Sequence, residues 1–215
     1  MADAVIRPYR EEDRVAVRNI AWETALWGEP AGRFFSDKEI FADFLTLYFT
    51  DHEPESCWVA EAEGKVAGYL IGAVNSKRLE RVFLRKIFWH LCLRSMIRGT
   101  FLNGKNSRFL FLSGRSFWRG EFRAPDFTKD YPATLHINLG KDFRGCGIGE
   151  RLMAAYNAYL AKNNIPGVQL STMSEKGAAF FKKQGFVVLH SGLRSYFSDL
   201  GYNPVFCLIM GKRIS

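Results

Sequence analysis

The sequence predicts one α/β domain, and three observations carry that reading. Short strand-like apolar runs alternate with amphipathic stretches at helical spacing. A hairpin is written into residues 57–74, where Glu63-Gly64-Lys65 separates two strand-like runs. Further on, a strand delivers the chain to a glycine-rich turn that opens a helix, the arrangement of an anion-binding loop.

Composition agrees with a folded domain. The 215 residues have room for a substantial core, and 47% hydrophobic with 24% charged residues is globular rather than disordered. The 19 Phe, 8 Tyr and 5 Trp suggest a core or pocket built from flat side chains. Cys57, Cys92, Cys146 and Cys207 share no CxxC spacing, so neither a zinc site nor a disulfide framework is indicated, and no metal is expected. Free thiols and a start without an apolar leader point to the cytoplasm. The apolar stretch Phe88 to Leu93, broken by His90, is far too short to span a bilayer.

Taken in order, residues 4–9 read as a first strand. Glu11 to Leu26 reads as a helix with Glu11, Glu12 and Asp13 in its first turn, where acidic groups suit the helix dipole. Ser36 or Asp37 caps a second helix reaching Phe49. The hairpin strands are Cys57–Ala62 and Val66–Val74. From Lys77 the period changes: Leu79, Phe83, Ile87 and Leu91 recur every four residues, an amphipathic helix ending near Gly99. Arg108 to Leu112 fits a short strand or one more buried helix. Thr134–Leu139 is a strand, Ile148–Lys162 a helix and Val168–Ser171 a strand. Ser174 or Thr172 caps a helix to Gln184, stopped by Gly185, and Phe186–His190 and Val205–Met210 are the final strands.

The chemistry concentrates at Gly140 to Gly149. Gly145, Gly147 and Gly149 let the backbone approach a ligand closely, and the helix they open offers N–H groups without intrahelical partners. The spacing is GxGxG rather than the dinucleotide GxGxxG, and Gly149-Glu150 replaces the Gly-Lys-Ser/Thr of a Walker loop.

Arg144-Gly145-Cys146-Gly147-Ile148-Gly149, followed by Leu152-Met153, resembles the acetyl-CoA motif of the GNAT acetyltransferase superfamily, Arg/Gln-x-x-Gly-x-Gly/Ala. Gly177-Ala178-Ala179-Phe180-Phe181-Lys182-Lys183-Gln184-Gly185-Phe186 resembles the later family segment N-x-x-A-x-x-F-Y-x-K-x-G-F. The likeness covers roughly residues 2–76 and 131–211 and leaves 77–130 as an insertion. More narrowly, Tyr131-Pro132 and Leu135-His136-Ile137 resemble acetyltransferase-like domains associated with bacterial O-GlcNAcase-type hexosaminidases. The resemblance implies a single domain, 1–215, whose mixed sheet splays between strands 4 and 5. It implies that acetyl-CoA is cosubstrate, with Ile137 and Leu139 holding the pantetheine and Arg144, Gly145, Cys146, Gly147, Ile148 and Gly149 the pyrophosphate. Ser174 and Phe181 fall where the family has Asn and Tyr, so the usual proton donor is missing; Tyr196, Tyr202 or Tyr131 could replace it.

The implied reaction is attack of a primary amine on a thioester. An alkylammonium with a pKa of roughly 10.4 must first lose a proton, so a base is useful. His136 and Asn138 alternate with Leu135, Ile137 and Leu139 and share a face. His136 is a candidate base or a structural histidine; Asp142 suits a capping role, and Cys146 packing inside the cradle. The acceptor is expected to be a small metabolite or amino sugar. The rival readings are a catalytically silent acyl-CoA-binding module and a regulatory or membrane-surface protein.

The net charge of +8 is uneven. Lys77 to Arg123 holds twelve Lys or Arg against Glu80 and Glu121, a net of +10, which leaves −2 for the rest. Three readings fit the segment: a helical subdomain over the substrate side with a solvated basic rim, a membrane or partner surface, and an anion-binding surface. No nucleic-acid motif is present, and a monomer or homodimer is expected.

Overall fold

The computed structural model describes residues 4–198, 201–203 and 205–214. Its elements, in order, are β1 (Val5–Pro8), α1 (Arg14–Thr24), α2 (Lys38–His52), β2 (Cys57–Ala62), β3 (Lys65–Ala73), α3 (Ser76–Val82), α4 (Phe88–Ile97), α5 (Gly104–Trp118), β4 (Ala133–Leu139), α6 (Ile148–Lys162), β5 (Gly167–Thr172), α7 (Glu175–Lys183), β6 (Val187–Arg194) and β7 (Val205–Arg213). Among the described residues the strands form one seven-stranded sheet, ordered β1-β2-β3-β4-β5-β7-β6. Only β4 and β5 run parallel; the other neighbours are antiparallel.

Alternation along the strands sends side chains to two faces. Leu70, Leu135 and Met210 join α6 and α7 in one core cluster, with Leu152, Met153 and Phe181. Tyr69 and Ile71 face the other way, against Val17 and Ala21 of α1. A third cluster joins Phe34 and Phe35, Ile87 and Leu91, Leu112, Tyr196 and Phe197. It seats the helices between β3 and β4 against α2 and the α1–α2 loop.

The sheet opens between β4 and β5. They share only the pairs Ala133↔Val168 and Thr134↔Gln169, then diverge. Beyond that point β4 is held by β3 and β5 by β7, each on its outer side. Tyr156 of α6 stands where they part, its buried hydroxyl donating to the Thr134 carbonyl at 2.8 Å.

Several boundaries differ from the sequence reading, each for a local reason. The first helix opens as a 3-10 turn, Glu11–Asp13. There the Asp13 carboxylate turns toward Arg7 (2.7 and 2.8 Å) and the Arg10 N–H (2.8 Å). The amphipathic run from Lys77 is broken by a π-helical turn, Phe83–Ile87. Twelve residues of α-helix turn about a third of a turn too far to keep Leu79 and Leu91 aligned; the extra residue of a π turn removes that drift. Arg108–Leu112 is helical, within α5. The Asn103 side chain caps that helix, accepting from Lys105 N–H at 3.0 Å, and Leu112 is buried. β6 and β7 run longer than expected, pairing from Val187↔Gly211 to Arg194↔Val205.

Candidate active site

The divergence of β4 and β5 leaves a cleft of ≈ 530 Å³, walled by residues 135–139 on one side and 170–174 on the other, with Phe180 and Phe181 of α7. Ile137 and Leu139 line it, half-buried. At its mouth lies the glycine-rich turn. Gly145 and Gly147 have φ of 77° and 75°, left-handed conformations that glycine adopts without strain. A Cβ at either would meet nothing within 4 Å, so the space in front of the backbone is open. No side chain caps α6 at Gly147, and its first N–H groups face that space without intrahelical acceptors. An uncapped helix N-terminus behind two glycines fits a pyrophosphate.

The cradle side chains divide the work differently from expectation. Arg144 turns back, donating from Nε to the Leu139 carbonyl (3.1 Å) and from a terminal nitrogen to the Gly28 carbonyl (3.2 Å). It therefore ties the cradle to the α1–α2 loop. Ile148 and Gly149 are buried at the start of α6 and can offer only backbone. Cys146 is exposed rather than packed, because it stands between the two left-handed glycines and points outward. Ser174 caps α7, its hydroxyl accepting from the Gly177 N–H at 3.1 Å, and its residue lines the cleft. Phe181 is buried at the cleft wall, edge-on to Phe180 and Phe186 at ring separations of 5.2 and 5.4 Å.

His136 and Asn138 also line the cleft and meet there over buried Tyr69. The Asn138 amide donates to Tyr69 Oη at 2.9 Å and lies 3.4 Å from His136 Nε2. Tyr69 Oη is 3.3 Å from His136 Nδ1. Burial pushes the His136 pKa down to about 4 from its ordinary 6.5, and the Tyr69 phenol is pushed up for the same reason. At neutral pH the ring is neutral.

This shift has a stability consequence. Below pH 6.5 the unfolded histidine binds a proton that the folded one refuses, so stability falls as pH drops from 6.5 toward 4 and is flat in this respect above 6.5. We expect His136→Gln to flatten that limb in urea titrations at a series of pH values. An unchanged limb would place the acid sensitivity elsewhere.

The candidate tyrosines are scattered. Tyr196 lies in the aromatic cluster with Phe109, Phe122 and Phe197, its hydroxyl 3.9 Å from Met173 Sδ. Burial raises its pKa to about 12. Tyr131 packs beside Gly167 and Gly211, at the end of β5 away from the cleft. Tyr202 lines a second cavity, ≈ 930 Å³, which shares Trp27, Thr172, Met173, Ser174 and Lys176 with the cleft. The sequence reading missed this wall from the α1–α2 loop, where Trp27 sits at φ 51°, rare for a bulky residue. It also missed Tyr69, whose register opposite β4 no local pattern announces.

The mixed sheet parted at one parallel pair is the GNAT-type fold that the sequence leads one to expect, and solved structures share that fold. The chain is similar to SsHAT over 99% of its length and 98% of that chain, with 23% identity and a TM-score of 0.69. It is similar to the Drosophila melanogaster polyamine N-acetyltransferase that forms N-acetylagmatine, with 15% identity, 98% and 100% coverage and a TM-score of 0.60. A Salmonella typhimurium structure of acetyltransferase type, solved with its cofactor acetyl-CoA, matches 100% of this chain and 95% of that one, with 12% identity and a TM-score of 0.55. No family model matches the chain, and no curated protein sequence does.

Proposed function

We propose that the protein is an N-acetyltransferase that moves the acetyl group of acetyl-CoA to the primary amine of a small acceptor. The observation that carries this is the cradle: an uncapped helix N-terminus and two left-handed glycines facing open space at the mouth of the β4–β5 cleft. Acetyl-CoA would supply the activated thioester. The chain's part is to hold the pyrophosphate on the N–H groups of residues 144–149, to seat the pantetheine along Ile137 and Leu139, and to present the acceptor from the adjoining cavity.

In this reading His136 and Asn138 face the acceptor. A histidine with a pKa of about 4 is neutral throughout the working range but weakly basic, so it gains little as a base for an ammonium. We expect His136→Ala to lower kcat/KM only about 10-fold, below the ~100-fold of a well-matched base. The pH–rate profile should rise with ionisation of the acceptor amine and show no inflection near 6.5. An inflection there, lost in the variant, would restore His136 as the principal base.

Tyr196 is part of this proposal only through its contact with Met173, which lines both cavities. A thiol of pKa roughly 8.5 leaves passably as thiolate, so protonation from solvent suffices. The segment 77–130 would wall the acceptor side of a single domain. The narrower likeness at Tyr131-Pro132 and Leu135-His136-Ile137 favours an amino sugar among the small amines.

Phe181, where the family has tyrosine, favours a second reading: an acyl-CoA-binding module without turnover. Thiol release from acetyl-CoA over a panel of polyamines, amino sugars and amino acids separates the two. Release with any amine supports transfer; tight acetyl-CoA binding without release on the whole panel supports the silent module.

A further inference from the structure

The helices between β3 and β4 have two faces, and only one is used inside the fold. The inner face is clamped to α2 and to the loop before it. Arg94 pairs with buried Asp43, and Arg98 with Asp37 at 3.0 Å. Thr100 donates to Asp37 at 2.5 Å, and the Ser36 N–H donates to Asn106 at 2.7 Å. Ile87 and Leu91 are buried beneath them.

The outer face carries apolar side chains in open solvent. Trp89, Leu93, Met96 and Ile97 recur at helical spacing along α4, opposite Ile87, Leu91 and Ser95. Their exposures are 66, 58, 70 and 76%, and in the turn after α4 Leu102 is 90% exposed. Leu102 lies over Gly99, so it continues the stripe. The face is rimmed by cations. Arg81, Arg85 and Lys86, in the turns leading into α4, are exposed, and no hydrogen bond or ion pair among the described residues engages their side chains. A solvated basic rim and a membrane or partner surface were both among the readings of this segment.

We propose that this face docks the protein on an anionic lipid surface. An amphipathic element with tryptophan and aliphatic side chains on one side and Lys/Arg beside them lies in the boundary between headgroups and acyl chains. The cations meet anionic headgroups while the apolar side chains enter the layer beneath. Charge selects the occupant. Arg94 and Arg98 are neutralised on the inner face, which leaves Arg81, Arg85 and Lys86 as uncompensated cations beside the stripe. A second copy on the same face would bring like charge against like charge. The stripe itself suits acyl chains better than nucleic acid: single strands are held by aromatic stacking beside phosphate contacts, and of its five side chains Trp89 alone carries a ring.

The test is co-sedimentation of the whole protein with phosphatidylcholine vesicles, with and without phosphatidylserine, over a range of salt. Two variants accompany it: Trp89→Ser with Leu102→Ser, and Arg85→Glu with Lys86→Glu. All four positions are exposed, so melting temperatures should stay close to the parent's, which confirms folding. We expect binding to the phosphatidylserine vesicles that weakens with salt, and at least a ~10-fold loss of partitioning in each variant. Absence of sedimentation with anionic vesicles would overturn the proposal, as would binding that either variant leaves unchanged. A salt-stable dimer that buries Trp89 and ignores vesicles would assign the face to a second copy. Tight binding to a single-stranded oligonucleotide without vesicle binding would assign it to nucleic acid.

Discussion

Gly147→Trp is expected to weaken acetyl-CoA binding by ~100-fold or more in calorimetric titration, a loss of about 2.7 kcal/mol. The effect comes from occupancy as well as strain. At φ 75° the backbone holds a conformation that costs a side chain about 1–2 kcal/mol. The Cβ projects into the open space before the cradle, where an indole would stand in place of the phosphates. The fold should tolerate the change, because among the described residues none beyond its chain neighbours lies within 4 Å of that Cβ. In a chain of this size each kcal/mol shifts the melting temperature by roughly 2–4 °C, so the variant should melt within about 8 °C of the parent. A folded variant that binds acetyl-CoA as tightly as the parent would remove the cradle from the proposed site.

The largest effect on stability is expected at Glu53, away from the cleft. Its side chain is buried and its carboxylate accepts three hydrogen bonds, from Tyr48 Oη at 2.8 Å, Ser56 Oγ at 3.0 Å and the Val74 N–H at 2.6 Å. These donors belong to α2, to the turn after it and to the end of β3, so one group joins three segments. Glu53→Ala leaves all three facing a cavity. Each buried donor left without an acceptor costs roughly 1–3 kcal/mol, so the three together should cost at least about 3 kcal/mol, or about 6–12 °C of melting temperature by the same scaling. Glu53→Gln keeps the shape and part of the acceptor capacity and should fall between. Calorimetric melting of both variants decides the matter: a loss below about 1 kcal/mol in Glu53→Ala would mean that water replaces the carboxylate.

What the sequence disclosed follows from the range of the physics involved. The cradle was legible because a turn needing left-handed backbone must be written in glycine, at Gly145 and Gly147. The hairpin was legible because Gly64 and strand alternation are local. Tyr69 stands opposite Asn138 in the β3–β4 register and reaches His136 diagonally across 67 residues of sequence, and nothing near either residue specifies it. The π turn was half visible: a four-residue spacing from Leu79 to Leu91 is too wide for an α-helix, and that excess was the signal. The ends of β6 and β7 were hidden because Val187, Val188, Leu193 and Phe206 are exposed strand residues, so the alternation of a half-buried sheet breaks down there. Arg144 carried a motif position, yet its side chain serves the Gly28 carbonyl, a contact across 116 residues.

The two-pair contact of β4 with β5 also bears on how the molecule is braced. Each strand has one long edge whose amides lack a strand partner, so the sheet behaves as two plates joined along a short seam. A ligand lodged between the plates would act as a wedge that completes the sheet, and its affinity would be returned as resistance to opening. At a ligand concentration 100 times Kd that return is about 2.7 kcal/mol. It should be read locally as slowed amide hydrogen exchange along residues 135–139 and 170–172, with little change in the β1–β2 pair at the far edge.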